Sequence, residues 1–223
     1  FGNSSWAANA TTPGGKSELY IPVADLFSGA VNVGDIASIS YWTNKPGDAG
    51  SPDWTLLMYT NTTGSDDEAS WYHSRLNSEP YLTGTSNASD PSNTWHEWST
   101  DDATNPMRFY DGGRDGEGLG TYTDPTLSQI AAGSVTWNGA TENGSSHDYS
   151  GESIKFFSLQ TGSGWADGFP GLLDGLTVTL NNGDVANVNF EAVPLPSAAG
   201  MGLAMLGGLV LVLGVKRRRR QVA

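Results

Sequence analysis

LTVTLNNGDVANVNFE, residues 176–191, is the stretch on which the fold turns. Leu176, Val178 and Leu180 alternate with Thr177 and Thr179, the two-residue period of a strand with one dry and one wet face. Asn181-Asn182-Gly183-Asp184 supplies turn chemistry, and Val188 and Phe190 resume the alternation with Asn187 and Asn189 on the other side. The stretch therefore predicts an antiparallel hairpin. Working outward, similar short runs occur at 36–42, 54–60, 70–76, 107–110, 135–138 and 154–161, each bounded by Gly, Pro, Asn or Asp clusters. Only one soluble helical turn is expected, at 124–131, with Asp124 as N-cap, Pro125 at the first helical position and Gly133 ending it. Many short strands joined by long polar loops predict an all-β fold, an antiparallel jelly-roll-like β-sandwich over residues 1–191.

Composition narrows the chemistry. The 223 residues contain no Cys, which excludes disulfide staples, thiolate metal sites and cysteine nucleophiles. Residues 1–191 hold six basic side chains and all 24 acidic ones, a formal charge of −18, whereas the last 32 residues carry +5. So acidic a body repels phosphate backbones, and no nucleic-acid partner is expected.

The distal end reads differently. Residues 192–197 are a proline-containing linker, in which Pro194 and Pro196 enforce an extended, non-helical path. Residues 198–215, AAGMGLAMLGGLVLVLGV, contain no charge and no strongly polar side chain. At ~1.5 Å rise per residue a helix of this length spans ~27 Å, just enough to cross a bilayer core. Lys216, Arg217, Arg218, Arg219 and Arg220 follow at once, within a basic tail over 216–223. By the positive-inside rule that tail stays in the cytoplasm and the acidic body lies outside. An outside domain needs an export signal, and the chain opens on Phe1 without a charged-then-apolar leader, so removal of a signal peptide is expected.

Val193-Pro194-Leu195-Pro196-Ser197, then a Gly/Ala/Leu-rich span, then consecutive arginines, resembles the PEP-CTERM class of bacterial sorting signal in its VPLP or VPxP form. Leu195 stands where the commonest version has Glu. The resemblance implies an exported protein, cut near the proline motif by an exosortase-like membrane peptidase and delivered to the cell surface or an exopolysaccharide matrix. A permanently anchored single-pass surface receptor uses the same apolar span and basic stop. Near the end of the body, Gly171-Leu172-Leu173-Asp174-Gly175-Leu176 leading into an alternating strand resembles the closing strands of concanavalin A-like and laminin G-like sandwiches.

Catalytic motifs are not found. GxSxG and SxxK do not occur, and His96-Glu97 is followed by Trp98-Ser99-Thr100 rather than by a zincin's second histidine. The expected role is a non-catalytic glycan- or matrix-binding module. The alternative is a glycoside hydrolase on the same scaffold, which needs only two suitably spaced carboxylates. Asp111, Asp115 and Glu117 fall within seven residues on a glycine-rich backbone, a pattern that suits the oxygen cage of calcium and equally a solvated turn. Eight tryptophans offer rings for stacking on sugar faces. Trp42 and Trp54 sit in strand patterns and are expected inside. Trp165, in a glycine-rich loop, and Trp95 and Trp98, in a polar segment, are the candidate ligand-binding residues.

Overall fold

The computed structural model describes residues 5–8, 16–46, 53–61, 75–80, 93–111, 124–133, 135–136, 146–162 and 169–190. The hairpin that decides the fold is present as β11 (Leu172–Leu180) and β12 (Val185–Val188), antiparallel, with Leu176 opposite Val188 and Val178 opposite Ala186. Gly183 closes the turn at φ +92°, a left-handed value that glycine adopts without a Cβ clash. The Leu180 N–H donates to the Asp184 carbonyl at 2.8 Å, and the Gly183 N–H to the Leu180 carbonyl at 2.9 Å.

The earlier strands among the described residues are β1 (Trp6–Ala7), β2 (Glu18–Pro22), β3 (Ile36–Asn44), β4 (Thr55–Asn61), β5 (Arg75–Ser78), β6 (His96–Ser99), β7 (Tyr110–Asp111), β8 (Val135–Thr136), β9 (Ser146–His147) and β10 (Ser153–Gln160). They form two main antiparallel sheets. In the first, the order is β1-β11-β3-β6, with β12 also beside β11; in the second it is β2-β10-β4-β5-β7. A small third sheet pairs β8 with β9. Successive strands repeatedly change sheet, so most neighbours within a sheet are distant in sequence. Inward side chains of both main sheets join one apolar cluster, with Ile39, Tyr41, Trp98, Leu173, Leu176 and Val178 from the first and Ile21, Leu56, Met58, Leu76, Phe157 and Leu159 from the second. The body is a β-sandwich.

Strict alternation would put Leu173 and Leu176 on opposite faces, yet both are fully buried. A bulge reconciles them. Between Asp174, opposite Trp42, and Thr177, opposite Ser40, β11 spends two residues against one of β3, and Gly175 takes φ +50° there. The bulge keeps leucines inside and turns Asp174 toward Trp42.

The expected helix appears two residues shorter, as Leu127–Ala131, capped by Thr126 rather than Asp124. The sequence Thr126-Leu127-Ser128-Gln129 forms a capping box, in which the Gln129 Oε1 accepts the Thr126 N–H at 2.9 Å. Asp124 serves elsewhere, its carbonyl accepting from Arg108 Nη1 at 2.7 Å. A second short helix, Val23–Leu26, follows β2 directly.

The body up to Glu191 is a unit separate from the segment that begins at Ala192. Among the described residues no helix is long and apolar enough to cross a membrane. The expected membrane helix at 198–215 lies outside them, as do Val193, Pro194, Leu195, Pro196, Lys216, Arg217, Arg218, Arg219 and Arg220.

Tyr20 stands on the outward side of the second sheet, edge-on to Phe156 at 5.3 Å between centroids. Burial first, and then the neighbouring Tyr59 and Glu18, push its hydroxyl up to about 12. A raised folded value favours the neutral phenol, so this contribution to stability is complete below the unfolded pKa near 10 and is lost as pH rises toward 12. The phenolate absorbance of wild type minus that of Tyr20→Phe should therefore rise about two pH units later than free tyrosine. A difference centred near 10 would refute this.

Candidate functional site

The outward side of the first sheet carries a broad opening. In β3, Ile39, Tyr41 and Thr43 are buried, which leaves Ser38, Ser40 and Trp42 on the other face. β6 lies antiparallel alongside, with Glu97 opposite Trp42 and Ser99 opposite Ser40. These side chains, with Trp95, His96, Asp101 and Asp102, line a groove of about 640 Å³. Trp42 also borders a second hollow of about 270 Å³, shared with Asp174, Gly175, Thr177 and Asn187. Its half-buried indole is thus the ridge between two depressions. Gly175 also lines the second one, where a Cβ would make only an ordinary van der Waals contact with Trp42, at 3.9 Å from Cδ1.

The polar rim is locally organised. The Ser99 hydroxyl donates to Asp101. Asp102 Oδ1 accepts the Thr104 N–H at 2.7 Å and the Asn105 N–H at 2.9 Å. Those two N–H groups, Asn105 foremost, hold the Asp102 carboxyl below the usual range, with a smaller contribution from His96. The His96 ring packs beside Trp98 at 4.2 Å between centroids. The groove therefore offers two indoles, serine hydroxyls and carboxylates, the apolar-plus-polar mixture that fits a hydroxylated ring.

The sequence candidates separate on this geometry. Trp95 lines the groove and is half-buried. Trp98 does not reach it: the ring is 3 % exposed, belongs to the core, and its Nε1 donates to Thr43 Oγ1 at 2.8 Å. An indole enclosed on both faces cannot stack on a ligand. Asp111 is likewise turned inward, fully buried, its Oδ2 accepting the Tyr149 hydroxyl at 2.5 Å. Trp165, Asp115 and Glu117 lie outside the described residues. Among the described residues no group of three or more His, Cys, Asp or Glu side chains is placed to hold a metal ion.

Trp42 is the functional candidate that the sequence reading put on the wrong face. The signal was available: Ile39 and Tyr41 share one face of a strand, and Trp42 must then point the opposite way. No protein-family model, curated protein or solved structure matches the chain.

Proposed function

We propose that this is an exported cell-surface or extracellular-matrix protein whose acidic sandwich binds glycan, and whose C-terminal PEP-CTERM-like segment sorts it to that location. On this reading the membrane holds the chain through residues 198–215 until an exosortase-like peptidase acts near Pro196. The strand orders support a jelly roll. Taking β1, β2, β3, β4, β5, β6, β10 and β11 as eight successive strands, one sheet holds the first, eighth, third and sixth and the other the second, seventh, fourth and fifth, the interleaving of two Greek keys.

The observation that carries the binding reading is the groove itself, in which Trp42 and Trp95 present indoles among Ser40, Glu97 and Asp102 on a rigid sheet. Sheet-mounted rings are pre-positioned, so little ordering cost attends binding. On immobilised matrix polysaccharide from producing cells, Trp42→Ala should weaken retention about tenfold to thirtyfold, the loss of one aromatic anchor, while leaving the melting temperature within a few degrees. Retention unchanged in both Trp42→Ala and Trp95→Ala would remove the groove from the account. Product detection in the same assay separates the alternative: glycan released with new reducing ends would mean a hydrolase using a carboxylate pair.

A further inference from the structure

The second sheet has its own recess. Its register sets Ser158, Leu57, Asn77 and Tyr110 in one outward row across β10, β4, β5 and β7. These side chains face away from the core, yet Leu57 and Asn77 are only 5 % exposed, Tyr110 4 % and Ser158 not at all. The row forms the floor of a hollow of about 230 Å³ whose walls include Lys16, Thr55, Arg75, Glu79 and Gln160. Most of its polar groups are already engaged, the Lys16 ammonium with the Glu18 carboxylate among them. Gln160 Nε2 donates to Ser158 Oγ at 3.0 Å, and the Tyr110 hydroxyl donates to Glu79 Oε1 at 2.5 Å.

Asn77 is the exception. Its Oδ1 is buried and has no hydrogen-bond partner. A buried carbonyl-type oxygen without a donor is costly, and such groups in folded proteins call for an explanation. Asn77 itself lines the opening, so a ligand seated there lies beside the residue whose oxygen lacks a donor.

We propose that this recess is a second saccharide site, in which a sugar hydroxyl donates to Asn77 Oδ1. The wall decides the ligand class. It sets donors, the Lys16 ammonium, the Arg75 guanidinium and the Thr55 hydroxyl, among acceptors, Asn77 Oδ1 and the Glu79 carboxylate. A fully deprotonated anion would take the donors but bring no proton to Asn77, and any anion would meet Glu79. An apolar ligand would leave Asn77 as it is. A hydroxyl both gives and accepts, so a polyol matches the whole set. The choice of sugar among polyols rests on the glycan-binding reading above; the recess and its unserved oxygen do not. With recesses on the outer sides of opposite sheets, one body would hold two glycan chains and cross-link them.

The test titrates the full chain in detergent with cellohexaose, maltohexaose and mannohexaose, following the Asn77 and Gln160 side-chain amides and the Trp42 and Trp95 indole N–H groups by NMR. At least one sugar should shift the Asn77 and Gln160 amides. Asn77→Leu should abolish the Gln160 shift, leave the indole shifts in place, and melt at or above the wild-type temperature, because an apolar side chain of similar size removes the unserved oxygen. Indole shifts with still Asn77 and Gln160 amides would overturn the second site alone. No shift at either recess would overturn both readings. An Asn77→Leu protein melting several degrees lower would show that the oxygen already serves the fold, and shifts at Asn77 with inorganic phosphate but with no sugar would assign the recess to an anion; either result rejects the proposal.

Discussion

Trp54→Ala should destabilise the sandwich by about 3–5 kcal/mol, the range for deleting a fully buried large aromatic side chain. Trp54 has no exposed surface and is the largest fully buried side chain among the described residues. Its ring lies 5.1 Å from that of Trp6 and 6.0 Å, nearly perpendicular, from that of Phe169. It therefore ties β1 and the segment before β11 to the start of β4. The backbone there is anchored as well, the Trp54 carbonyl accepting from the Tyr41 hydroxyl at 2.8 Å. The indole Nε1, by contrast, has no partner. Trp54→Phe keeps much of the ring and deletes that unserved donor, so it should cost clearly less than the alanine change. Urea unfolding checks both: the Trp54→Ala midpoint should fall sharply at constant m-value. A loss below about 1 kcal/mol would mean that the cluster is not packed as described.

Asp53→Ala should cost a similar amount by a different route. Asp53 and Lys45 are each 2 % exposed, with Lys45 Nζ 3.8 Å from Asp53 Oδ2. The same carboxylate accepts the Thr43 hydroxyl at 2.8 Å and the Trp54 N–H at 2.7 Å, and Thr43 in turn accepts from Trp98 Nε1. One buried anion thus orients β3, β6 and the start of β4. Removing it strands a buried ammonium without that counter-charge and leaves two donors unserved, a loss of about 3–5 kcal/mol. Adding Lys45→Met to Asp53→Ala removes the stranded cation, so the double variant should be more stable than Asp53→Ala alone. A double-mutant cycle with coupling near zero would contradict the pairing.

This network also marks the limit of sequence reading. The β11–β12 hairpin was legible because Leu176, Val178 and Leu180 alternate over a turn whose Gly183 takes the required backbone. β6 was not legible. His96-Glu97-Trp98-Ser99 presents one fully buried side chain in four, too little for a period, and its identity as a strand comes from the partner β3. Missing the strand misplaced Trp98, which read as an indole in a polar segment and is in fact the inward residue of an edge strand. β2 was missed for a related reason, its five residues ending in Pro22 and leading straight into a helix. Asp111 read as a calcium ligand or part of a solvated turn because nothing local announces a buried partner, and nothing local marks the buried Lys45 and Asp53 either. The partner of Asp111 is Tyr149, 38 positions away. Of the candidate site, Trp95 was legible as a ring in a polar segment, whereas Trp42 required the strand's face to be counted from Ile39. The recess at Asn77 had no sequence signal, since it depends on side chains from strands that only the register brings into one row.

The central claim, an exported body sorted by its tail, is tested most directly by intact-mass and terminal sequencing of the mature protein taken from the surface or matrix of producing cells. The account predicts a new terminus near Pro196, with Arg217 to Arg220 gone. A mature protein retaining its whole tail through Ala223, or one found only in the cytosol, would contradict it.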